Sequence, residues 1–230
     1  MRNTIFALLG AVALVGCANT PDPVDELAPA FPEGTGQQAH NSKPYPSGPY
    51  GIGTGSIISN YKFIGYVNSV ADSTTLAEIE MAEFYNPTGD GVFEEGSVFP
   101  VGTPKPKAIL IPVASVWCGP CNYEAESVLP GLYQQYKPLG GEFFAQLADG
   151  PTPGKAATQK SLYNWATKYD VNYPIAFDPS YKLGALFEAD AFPANMIIDP
   201  RTMEIVEVIS GVAEEGGPFW TLFENVMAGQ

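Results

Sequence analysis

From Lys107 onward, apolar runs alternate with segments of helical spacing. Lys107 to Val116 is rich in Ile, Val and Ala and predicts a buried strand. Val128, Leu129, Leu132, Tyr133 and Tyr136 recur at the spacing of one helix face. Glu142 to Leu147 predicts a second strand, and Leu162, Trp165, Ala166 and Tyr169 mark a helix between Lys155 and Tyr169. Tyr173 to Phe177 reads as a short strand and Tyr181 to Glu188 as a short helix. Ala194 to Ile198 and Met203 to Ile209 are strands joined by a tight turn at Asp199-Pro200-Arg201-Thr202. Phe219, Leu222, Phe223, Val226 and Met227 give a final amphipathic helix. The order is βαβαβ followed by ββα, an α/β arrangement that roughly 125 residues can close around one core.

Upstream the pattern is weaker. Ile57-Ile58 and Tyr61 to Val67 read as strands, while Glu78 to Tyr85 fits either strand or helix. Residues 50–106 are expected to be an N-terminal β extension, because about 55 residues make a marginal core alone. A specificity surface is the other reading of this segment. Residues 17–49 are rich in Pro, Gly, Asn and Ser, and are expected to be a tether that cannot offset its ordering entropy by burial. His40 falls there as a solvated linker residue. Residues 1–16 carry Arg2 and then an apolar run from Ile5 to Val15, too short to span a bilayer, which predicts an export signal.

Charge narrows the partners. The chain has 11 Lys and Arg against 25 Asp and Glu, a net charge of −14. Removal of residues 1–16 would take away one cation, Arg2, and no acid, giving −15. So acidic a protein is not expected to bind nucleic acid or to hold anionic lipid by charge.

The candidate chemistry is Trp117-Cys118-Gly119-Pro120-Cys121, placed where the buried strand meets a helix. Two cysteines three apart can close and reopen a small disulfide ring. Pro120 suits a first helical turn, and the free amides and positive dipole end there favour a thiolate on Cys118. Zinc would need two more ligands, and the remaining Cys17 and His40 both lie in the N-terminal region, so no metal and no cofactor is expected. A purely structural disulfide over so short a loop would remove little chain entropy.

At these residues the chain resembles the thioredoxin superfamily, and within it the exported thiol-disulfide oxidoreductases of the TlpA/ResA type. The resemblance covers about residues 108–228 and rests on the Trp117–Cys121 pentapeptide and on Phe192-Pro193 before a strand. It implies a thioredoxin-like fold over 107–230, a central mixed sheet flanked by helices. In that family the proline is cis and faces the disulfide, which implies that Pro193 meets client chains, with Trp117, Gly119, Pro120 and Phe192 shaping the site. Leu14-Val15-Gly16-Cys17 resembles the bacterial lipobox, which implies cleavage before Cys17 and a diacylglycerol on its sulfur. That puts the protein in the bacterial cell envelope on a lipid anchor. Ala18, in place of an Asp, weights the periplasmic face of the outer membrane over the inner membrane.

Two positions depart from the family. Many thioredoxins carry a buried acid six residues before the first cysteine, where this chain has Pro112. A bulge is expected at Pro112, since proline removes a ladder donor. Glu124, three residues after Cys121 and on nearly the same helix face, is the candidate proton acceptor, as the TlpA/ResA pattern also implies. A solvated helix-start glutamate is the competing reading. The other departure is the bulky Phe192, which would narrow the client range.

The implied mechanism makes Cys118 the exposed nucleophile and Cys121 the resolver that releases a reduced client. Partners would be proteins with disulfides or thiols, and an inner-membrane or periplasmic electron donor if the direction is reduction. Two alternatives stand beside this enzyme: a surface lipoprotein that uses the fold for binding with an inert disulfide, and a peroxide-reducing redoxin. The latter would need Ser115 to act where a threonine is usual.

Overall fold

The computed structural model describes residues 42–68, 75–183 and 192–230. The expected export signal, Cys17, His40 and most of the expected helix at 181–188 lie outside the described residues. Within the expected tether, residues 42–49 lie against the domain. Ser42 donates to both carboxylate oxygens of Glu94, and Tyr45 donates from its hydroxyl to the Ile58 carbonyl.

Among the described residues one sheet of eight strands organises the chain. In chain order these are β1 (Lys62–Tyr66), β2 (Ala77–Glu80), β3 (Ala108–Ser115), β4 (Gly141–Phe143), β5 (Ala145–Asp149), β6 (Ile175–Phe177), β7 (Ala194–Asp199) and β8 (Glu204–Ser210). They lie side by side as β2-β1-β6-β5-β3-β7-β8, with β4 also paired to β3. β3 is central, parallel to β4 and β5 and antiparallel to β7. Glu78 to Tyr85, readable as strand or helix, is both: β2 runs straight into a 3-10 turn at Met81–Phe84.

The expected strand at Glu142 to Leu147 is two strands, and Pro112 is the reason. The β3 ladder to β4 ends at Leu110 and resumes on β5 only at Val113. Proline's missing donor falls at that gap. The expected bulge is therefore not at Pro112: the β3–β7 register runs unbroken through the Pro112–Asn195 pair. The irregularity comes later, between Ala114 and Ser115 on the β5 side.

Four helices flank the sheet among the described residues: α1 (Gly119–Tyr123), α2 (Leu129–Tyr136), α3 (Gln159–Lys168) and α4 (Pro218–Ala228). The expected single helix after Cys118 is α1 and α2 joined by one π-helical turn, Glu124–Val128. Leu110, Phe143, Leu147 and Ile197 share one core cluster with Leu129, Leu132, Trp165, Trp220 and Phe223 of the helices.

Alternate sheet residues, Ile109, Ile111, Val113, Met196 and Ile198, share a second cluster with Phe63, Phe84, Phe93 and Phe99. Phe144, the residue between β4 and β5, meets Phe63 and Phe84 at ring-centroid distances of 5.8 and 5.3 Å. The N-terminal extension therefore supplies one wall of the core. Its join to the sheet needs Gly65 in β1: a Cβ there would lie 2.1 Å from the Ile175 carbonyl oxygen of β6.

Candidate functional site

β3 carries the chain to the edge of the helix layer, and Ser115 to Trp117 turn it into α1. Cys118 is the N-cap: its backbone is extended, and its Sγ accepts the Cys121 amide at 3.1 Å. Pro120 sits in the first turn, where no amide partner is needed. This junction exists because the apolar strand ends at Ser115 and Pro120, a few residues on, fits a first helical turn. An amide aimed at sulfur, at a helix start, is the geometry that stabilises a thiolate.

Cys118 and Cys121 are joined as a disulfide with Cα atoms 5.3 Å apart. Cys118 is not exposed as expected. It is 3% accessible, against 1% for Cys121. Its sulfur is bonded to Cys121, and both residues belong to the core cluster. The exposed part of the motif is Gly119-Pro120. Trp117 and Phe192 pack against the same cluster and meet edge to face at 5.8 Å. The Phe192–Pro193 bond, immediately before β7, is cis.

Glu124 lies one turn beyond Cys121 and is 2% accessible, whereas Glu126 is exposed. Its Oε1 accepts from Asn195 Nδ2 at 2.8 Å, and the Ala213 amide also donates to the carboxylate. Burial pushes its pKa from 4.5 up to about 7, against the pull of those two donors. A carboxyl poised near neutrality can both accept and return a proton at physiological pH. Tyr173 is buried nearby, its hydroxyl pushed upward first by burial and then by the Glu124 charge.

Three residues of this site escape a reading by motif. Asn195 interrupts the apolar run of β7, and that interruption is the only signal of its role in holding Glu124. Asn122 donates from Nδ2 to the carbonyls of Cys118 at 2.6 Å and Val116 at 3.1 Å, fixing the junction from behind. Asp149, at the end of β5, accepts from Trp117 Nε1 at 2.9 Å, Tyr181 Oη at 2.6 Å and the Gly154 amide at 2.8 Å. It ties the site's tryptophan to the loop after β5.

Residues 97–207, which contain both cysteines, Glu124 and Pro193, match the AhpC/TSA family model. The thiol-disulfide oxidoreductase ResA of Bacillus cereus (strain ZK / E33L) is 28% identical over 117 residues, 51% of this chain and 62% of that protein. ResA of Bacillus anthracis is 27% identical over the same length and the same shares. The chain thus spans less than two thirds of these relatives. Among solved structures, one described as a thiol:disulfide interchange protein DsbE from Chlorobium tepidum superposes with a TM-score of 0.52 at 15% identity, over 77% of this chain and 99% of that one. One described as a protein disulfide isomerase from Bacteroides thetaiotaomicron gives 0.50 at 14% identity, over 79% and 91%. Sheet order, cysteine pair and matched segment agree, and the fold of the chain is thioredoxin-like.

Proposed function

We propose that the protein is an exported, lipid-anchored thiol-disulfide oxidoreductase that reduces disulfides of client proteins. The observation that carries this reading is the Cys118–Cys121 pair at a helix start, with an amide on one sulfur and a buried carboxyl one turn away. The names of the relatives, thiol-disulfide oxidoreductases, point the same way.

In the reduced protein the Cys118 thiolate attacks one sulfur of a client disulfide. A mixed disulfide forms and the client's other sulfur leaves as a thiolate. Cys121 passes its proton to Glu124 and attacks the Cys118 sulfur, which expels the second client thiolate. The client gains two electrons and two protons, and the protein is left as the disulfide. Its return to the dithiol needs a donor dithiol from a membrane or periplasmic partner. Glu124 is the group that keeps the second step running near neutral pH. Ser115 offers little for peroxide chemistry, because it is fully buried.

The anchor reading rests on Leu14 to Cys17, and Ala18 favours the outer membrane. Among the described residues no helix is long and apolar enough to cross a membrane. The activity test is insulin reduction by the pre-reduced protein. Precipitation should follow wild type and be lost in the Cys118→Ala, Cys121→Ala double variant. Equal, background rates for both would reject the reading and leave a binding protein with an inert disulfide.

A further inference from the structure

An open cleft of about 400 Å³ adjoins the cysteine junction. Val116 and Asn122 line it on the site's side, and Trp165 lies on α3 across from them. Lys155, Lys160 and Lys168 also line it, and no Asp or Glu does among the described residues. In a chain with 11 cations and 25 acids, three lysines around one cleft stand against the prevailing charge. The rim is built: the Gly150 amide donates to the Lys155 carbonyl at 2.8 Å, the Gly154 amide to Asp149, and Thr158 caps α3 by accepting the Ser161 amide. Lys168 Nζ donates to Asn122 Oδ1 at 3.2 Å, and Asn122 in turn holds the Cys118 carbonyl. The cleft and the reacting pair therefore share a residue.

We infer that this cleft docks an acidic stretch of the client chain, so that disulfides flanked by Asp or Glu are preferred. The inference rests on the proposed reduction of client disulfides and names the client class. Apolar walls suit the stems of a peptide, and the lysines suit its carboxylates. A long polyanion would meet the repulsion of a chain with net charge −14, whereas a short acidic segment attached to the exchanging disulfide would meet less of it. Opposite charge at the rim of a binding site acts mainly on encounter rate and is weakened by salt.

The test uses two synthetic peptides, each with one intramolecular disulfide, flanked either by three Glu or by three Gln on each side. Reduction by the pre-reduced full chain is followed at 20 mM and 500 mM NaCl. The ratio of single-turnover second-order rate constants for the Glu over the Gln peptide is read within each protein. Wild type should give a ratio on the order of ten at low salt, falling toward one at high salt. The Lys155→Gln, Lys160→Gln, Lys168→Gln variant should give a ratio near one at both. Lys155→Glu, a single change on an exposed loop, should lower the ratio if the triple variant does not fold. A Glu/Gln ratio of one in wild type, or a preference that survives these changes, overturns the cleft assignment while client reduction stands. Failure to reduce either peptide or insulin overturns the enzyme reading, and the cleft assignment with it.

Discussion

Glu124→Gln separates what the buried acid does for the fold from what it does for the reaction. Glutamine keeps one oxygen to accept from Asn195 Nδ2, replaces the other with an NH2 group and cannot ionise. In the folded protein the carboxyl titrates at about 7, above its ordinary 4.5. The native state therefore binds more protons than the unfolded chain between those two values, and wild-type stability falls as pH rises through that window. A shift of about 2.5 units at 1.36 kcal/mol each is about 3 kcal/mol in full above pH 7, and under about 1 kcal/mol at pH 5. Glu124→Gln should thus be more stable than wild type, by about 2 kcal/mol more at pH 8 than at pH 5. Urea unfolding of the disulfide-intact proteins at both pH values measures this, with Glu126→Gln as the exposed control. A stability difference independent of pH, or larger at pH 5, would refute the raised pKa. The same variant should slow release of the mixed disulfide under the proposed role of Glu124 as acceptor of the Cys121 proton. More stable and less active is the signature of a carboxyl held at a cost for chemistry.

Other outcomes follow from the geometry. Gly65→Ala places a methyl 2.1 Å from the Ile175 carbonyl oxygen and should cost about 1–3 kcal/mol in denaturant unfolding; an unchanged midpoint would mean that β1 is not held against β6. Cys121→Ala should accumulate mixed disulfides with clients on non-reducing gels and Cys118→Ala should not, whereas equal trapping would undo the assignment of nucleophile and resolver. Cys17→Ser should shift the protein out of the membrane fraction or leave it uncleaved, and a soluble wild type without labelled lipid would end the anchor reading.

The parts legible in the sequence are those set by local spacing. β3, the β7–β8 pair and α4 were visible because an eight-residue apolar strand, a Pro-containing turn and a helical stripe each carry their own period. The cysteine pair was legible because a strand and a helix start bracket it. What was not legible depends on partners distant in the chain. β1 pairs with β6 more than a hundred residues later, and the gap between β4 and β5 shows only once Pro112 is set against them. Helical spacing could put Glu124 on the face of Cys121, but not decide between a solvated and a buried acid. That was decided by Asn195, 71 residues away, and by the Ala213 amide. Burial of Cys118 rests on packing within the core cluster, which the motif alone does not display.

Pro112 and Glu124 are linked through Asn195. Pro112 stands opposite Asn195 in the β3–β7 register, and Asn195 donates to Glu124. With a proline in the strand position where many thioredoxins carry an acid, the acid of this site comes from the helix, at a separation from Cys121 set by one turn of chain. The sheet's remaining contribution is the Asn195 donor, which favours the ionised carboxylate. Asn195→Ala removes that donor and leaves desolvation less opposed, so the Glu124 pKa should rise above its present value of about 7. At pH 7 less of the carboxylate would be available to take the Cys121 proton, and resolution should slow, yet recover as pH is raised. Glu124→Gln leaves only the Cys121 thiol to titrate, so its rate should rise only as that thiol itself ionises, with no inflection from the carboxyl. Stopped-flow decay of a preformed mixed disulfide between pH 5 and 9 distinguishes the two. A midpoint for Asn195→Ala that stays in place or moves to lower pH would mean that the sheet does not tune this acid.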